Sequence, residues 1–80
     1  METYAYTIFD GDPSRSGPCA WPSHEDVEIR GRSLVAIVAR ITREMRREGR
    51  ACGAYTAGDR LWARVWDDAG IIVASPMVTL

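Results

Sequence analysis

Eighty residues allow one domain and leave no room for a deep catalytic cavity, because so short a chain buries only about 60% of its unfolded surface. A composition of 46% hydrophobic and 26% charged residues excludes intrinsic disorder, and no apolar run reaches the ~18–20 residues of a membrane helix. Net charge is -1 but unevenly spread: residues 1–30 carry -4, residues 31–60 carry +4, and the remainder -1. Such separation bears on partners and steering rather than on fold.

The opening stretch METYAYTIFD is acidic and strand-like, without the basic and apolar regions of a secretion signal. Tyr4–Phe9 is the first predicted strand, with Tyr4, Tyr6 and Ile8 on one face and Ala5, Thr7 and Phe9 on the other. Residues 10–26 form a long loop, stiffened by Pro13, Pro18 and Pro22. Within it Ser23, followed by Asp26, is placed to cap a single helical turn. Val27–Arg30 alternates apolar and charged residues as a short strand, which Gly31 ends.

Ser33 is the expected N-cap of a helix over residues 34–48. Leu34, Ile37, Val38, Ile41 and Met45 fall within about a 100° arc at helical spacing, so they form its buried stripe. Gly49 stands where a left-handed C-terminal residue belongs. Residues 51–58 read as a connection, and Tyr55 takes no separate role. Leu61–Trp66 is the strongest strand, with Leu61, Ala63 and Val65 alternating against Trp62, Arg64 and Trp66. Large aromatics two apart on a strand are expected to pack beneath the helix. Asp67–Gly70 is a turn, Ile71–Ala74 the returning strand, and Pro76 marks Met77–Leu80 as edge or bulge. The predicted order is β-β-α-β-β: an α+β domain spanning residues 1–80, with one helix on a small antiparallel sheet of three to five strands.

Arg40, Arg43, Arg46, Arg47 and Arg50 lie opposite the apolar stripe of the helix. Such a row is either a solvated face or a face for phosphates and acids. No aromatic residue is interleaved to stack on bases, so strong direct nucleic-acid binding is not expected. All ten basic residues are Arg, as GC-rich coding produces.

Asp10, Asp12, Glu25, Asp26 and Glu28 sit at the two ends of the long loop. If the first two predicted strands pair, these carboxylates gather, as ordinary loop solvation or as a phosphate-mimicking patch toward a basic partner. Trp21 is either an interface anchor or a lid folded onto the core.

Cys19, His24 and Cys52 match no zinc module in number or spacing, and no calcium-loop pattern is present. Ser23, His24 and Asp26 are too close in sequence to act as nucleophile, base and orienter. There is no glycine-rich phosphate motif. A non-enzyme without metal or cofactor is expected. Two cysteines are too few for a disulfide scaffold, which points to a reducing cytoplasm.

The opening YAYTIFDGDPSRSGPCAWPSHEDVEIRG and the hairpin RLWARVWDDAGIIVAS frame the single helix. Over its whole length the chain resembles the small anti-CRISPR inhibitors that phages and prophages encode, most like those of type I-C systems. That class shares no common fold. The resemblance implies direct, non-catalytic binding to the crRNA-guided surveillance complex of the host, blocking target DNA, by a monomer or weak homodimer. Many such inhibitors are strongly acidic DNA mimics; at a net charge of -1, only a local patch could serve here. Asp10, Asp12, Trp21, Glu25, Asp26 and Glu28 are then the expected contact residues. The alternative is a small antitoxin-like regulator, its β-β-α-β order loosely like antitoxins of the HicB type, gripping nucleic acid with the Arg row.

Overall fold

The computed structural model describes residues 1–11 and 19–80, and these form an α+β domain with one helix laid on an antiparallel sheet of six strands. The chain runs through β1 (Glu2–Asp10), β2 (Cys19–Ala20), a 3-10 turn (Pro22–His24), β3 (Val27–Gly31), α1 (Leu34–Ala51), β4 (Arg60–Trp66), β5 (Ile72–Ala74) and β6 (Met77–Thr79). β1 lies at the centre. One side of it carries β3 and β2 end to end, and the other carries β4. The far side of β4 carries β5 and β6, which flank Pro76. β6 is the edge strand expected after Pro76. β2, inside the expected loop, brings the count above the predicted range; at two residues it is too short for sequence alternation to reveal.

The helix forms where its periodicity requires. Ser33 Oγ accepts the Ala36 N–H at 3.2 Å, satisfying one of the orphan donors of the first turn. Ile37, Ile41 and Met45 stand one above another at 0, 1 and 0% exposure, with Leu34 and Val38 half-buried beside them. They meet Tyr6, Ile8, Ile29, Leu61, Ala63, Val65 and Val78 from the sheet.

The helix continues to Ala51, three residues past the expected end, and Gly49 is inside it. Its role is close approach. A Cβ at Gly49 would lie 2.8 Å from Leu61 Cδ1 and 2.9 Å from Leu80 Cδ1. Gly49 therefore continues the Ile37–Ile41–Met45 line at the point where helix and sheet come nearest. The left-handed residue that follows the helix is Gly53, at φ 72°.

The two tryptophans of β4 are not under the helix. Leu61, Ala63 and Val65 face it, and Trp62, Arg64 and Trp66 share the opposite face of the sheet. Ala63 and Val65 are small enough to let the helix settle where indoles would hold it off. Trp62 is nevertheless only 4% exposed. Its ring stacks on Phe9 at 4.4 Å and 17°, its Nε1–H reaches the Gly11 carbonyl at 3.1 Å, and the Arg64 guanidinium lies 5.1 Å from its centroid.

The β4–β5 turn is closed by Asp67, whose Oδ1 accepts the N–H groups of Ala69 (3.0 Å) and Ile71 (2.9 Å). Among the described residues no helix is long and apolar enough to cross a membrane.

Candidate binding surfaces

The pairing of β1 with β3 is antiparallel, as the acidic reading required, but the register spreads the carboxylates along the sheet edge. Glu28 lies opposite Ala5, whereas Asp10 lies opposite Cys19, five residues farther along β1. At ~3.3 Å per residue that separation is about 16 Å. Asp10 is half-buried, and its Oδ2 accepts the Tyr55 hydroxyl at 2.7 Å. Asp12 falls outside the described residues.

Glu25, Asp26 and Glu28 are exposed at the outer edge, and among the described residues Glu28 makes an open ion pair with Arg30 at 3.4 Å. Asp26 adopts φ 52°, a left-handed conformation that Asp tolerates, and its N–H donates to Thr7 Oγ1 at 3.0 Å. Among the described residues Glu25, Asp26 and Glu28 thus remain exposed at this edge, and Asp10 has a different partner.

Trp21 is folded back. Its backbone N–H donates to the Ile8 carbonyl at 2.8 Å, its ring packs against the core, and its Nε1–H donates to the Tyr55 hydroxyl at 2.8 Å. Tyr55 is therefore the link between the loop, the end of β1 and the segment after the helix. No local periodicity announces it, because its partners lie 34 and 45 residues away.

Burial, and then the hydrogen bond to the Asp10 carboxylate, push the Tyr55 phenol from its ordinary 10.0 up to about 12. The phenol stays protonated longer in the folded chain than in the unfolded one. Its stabilising contribution is therefore complete below pH about 10 and is lost as pH rises through about 12. Phenolate absorbance should show a late step near pH 12 that Tyr55→Phe removes. Ionisation of every tyrosine near pH 10 would contradict the hydrogen-bond chain.

His24 pins the 3-10 turn to the helix. Its Nε2 lies 3.2 Å from Glu44 Oε1, and its Nδ1 lies 2.9 Å from Ser23 Oγ. Glu44 also accepts Arg47 Nη2 at 2.6 Å. Burial pushes the Glu44 carboxyl upward, but the hydrogen bond from His24 and the charge of Arg47 outweigh it and leave the group below its ordinary value.

Cys19 and Cys52 are free, exposed thiols. No group of three or more metal-ligating side chains occurs among the described residues.

The Arg row is continuous and exposed along α1. Arg40 reaches the Arg30 carbonyl, and Arg47 pairs with Glu44 and more loosely with Glu48 at 3.5 Å. Arg43, Arg46 and Arg50 make no ion pair among the described residues, and shallow depressions open between them.

A separate pocket of about 240 Å³ lies where the 3-10 turn meets the end of α1, walled by Trp21, Pro22, Ser23, His24, Glu48, Cys52, Ala54 and Tyr55. Comparison with protein-family models, with curated proteins and with solved structures finds no match for this chain.

Proposed function

We propose that this chain is a non-catalytic protein inhibitor of the anti-CRISPR kind. It would bind a type I surveillance complex in the host cytoplasm and keep target DNA from its basic channel. The observation that supports this reading is the exposed carboxylate group Glu25, Asp26 and Glu28: Glu28 stands on β3 opposite Ala5 of β1, and Glu25 and Asp26 lie in the segment that leads into that edge strand, where the Asp26 N–H is tied to Thr7 of β1. A channel that holds duplex DNA does so chiefly through phosphate contacts, so carboxylates on a rigid support can compete for the same cations. The test is surface plasmon resonance of the purified chain over an immobilised type I complex. Saturable binding that excludes target duplex is expected. No binding to any such complex would remove the reading.

A second reading is favoured by Arg43, Arg46 and Arg50, which make no ion pair among the described residues: a small regulator that grips nucleic acid through α1. In fluorescence anisotropy at physiological salt the isolated chain is expected to bind duplex DNA only weakly. Submicromolar, salt-dependent binding, lost on Arg43→Glu with Arg47→Glu, would put the regulator first.

A further inference from the structure

We infer that the pocket between the 3-10 turn and the end of α1 is a receptor for a guanidinium group, namely an arginine side chain presented by a protein partner. The inference rests on the inhibitor reading for the partner's identity, but not for the chemistry of the pocket.

Three features point to that ligand. The first is the pocket's walls. Trp21 and Tyr55 stand with ring centroids 6.0 Å apart and 30° between their planes, and His24 closes against Trp21 edge-on at 5.6 Å. The polar tips of the two large rings are already engaged: the Trp21 N–H goes to Tyr55, and the Tyr55 O–H goes to Asp10. The lining aromatics therefore have little left to offer a ligand as hydrogen-bond donors, and their π-faces remain. Such faces attract a cation, and a planar guanidinium can stack on them as well.

The second feature is charge. Glu48 lines the pocket, and its only ion pair among the described residues is the loose 3.5 Å contact from Arg47 to one oxygen. A carboxylate beside an aromatic wall matches the forked donors of arginine better than the single point charge of lysine. Glu25 and Asp26, exposed immediately after His24, add negative charge next to the mouth.

The third is rigidity. The wall is tied to β1 through Trp21 N–H to Ile8 and through Asp10, and to α1 through His24 and Glu44. A pocket of about 240 Å³ held in this way binds a side chain with little ordering cost. It lies beside the acidic edge proposed for docking on a basic surface, where arginines are the groups to be met.

The experiment uses the intact chain and argininamide. Titration is followed by the Trp21 Nε1–H resonance in a 1H–15N spectrum and by indole fluorescence. Saturable shifts centred on the Trp21 resonance are expected. Citrullinamide, the same shape without the charge, should bind roughly tenfold more weakly, and lysinamide should fall between them. Glu48→Gln, at a half-buried site and with folding checked by circular dichroism, should erase the preference for argininamide over citrullinamide. Equal binding of the two amides by the wild type, or no saturable response, would overturn the inference without reference to any variant. The same Glu48→Gln chain is then passed over the immobilised surveillance complex. Argininamide selectivity with no complex binding by the wild type would remove the inhibitor reading and leave the pocket. Complex binding without argininamide selectivity would do the reverse.

Discussion

Ile41→Ala is expected to lower the stability of the fold by about 2–5 kcal/mol. Ile41 is 1% exposed, midway along the line from Ile37 to Met45 that joins helix to sheet. Removing its branched end leaves a void between α1 and the central strands, because Ile37 and Met45 on either side are already fully buried and have nowhere to move. The helix covers only one face of the sheet, so no second helical layer shares the load. The total stability of a domain is only about 5–15 kcal/mol, and an 80-residue chain belongs at the lower end. Urea denaturation followed by circular dichroism should therefore show a much reduced midpoint with an unchanged slope. An unchanged midpoint would mean that the helix does not dock through this stripe.

The same stripe shows how far sequence reasoning reached. A 3.6-residue period with an Ser33 cap is a local signal, and the structure keeps both. The end of the helix was less legible because one residue type serves two purposes. A glycine after an apolar run can release the chain into a left-handed turn or let two backbones approach. At Gly49 the second holds, as the Leu61 and Leu80 methyl groups show, and Gly53 supplies the first.

Strand alternation in β4 separated Leu61, Ala63 and Val65 from Trp62, Arg64 and Trp66 correctly. Alternation is symmetric, however, and does not say which face the helix covers. Side-chain size was the wrong guide, because a close-packed helix needs small partners beneath it, and the indole of Trp62 finds burial against Phe9 and Arg64 instead.

At the candidate surfaces, pairing of the first strand with Val27–Arg30 was legible; Gly31, expected to end that strand, instead continues it opposite Glu2, and register was not legible, yet register decides whether Asp10 stands beside Glu28. The Trp21–Tyr55–Asp10 chain was invisible for a simpler reason. Its members are brought together by the tertiary fold across 34 and 45 residues, and no spacing rule encodes that.

Neutralising the exposed carboxylates beside and on β3 is expected to have the larger functional effect. Glu25→Gln, Asp26→Asn and Glu28→Gln together should strongly weaken binding to the surveillance complex while leaving the fold intact. All three side chains are exposed, and among the described residues none accepts a hydrogen bond that holds the core. Asn is the choice at Asp26 because it tolerates the left-handed φ of 52° and keeps the N–H bond to Thr7. Asp10 is left unchanged, since neutralising it would also disturb the Tyr55 hydroxyl and confuse binding with folding. Electrostatic pairs of this kind act mainly on encounter, so the association rate should fall by about 10–1,000-fold and lose its dependence on salt. The opposing variant, Arg43→Glu with Arg46→Glu and Arg50→Glu, should bind nearly as well as the wild type, because the proposed contact lies at the β3 edge and not along α1. Both variants are compared by surface plasmon resonance at two ionic strengths. Normal binding by the acidic variant with failure of the arginine variant would move the interface to α1. Equal loss in both would mean that the partner spans the edge strand and the helix together, across the contact between His24 and Glu44.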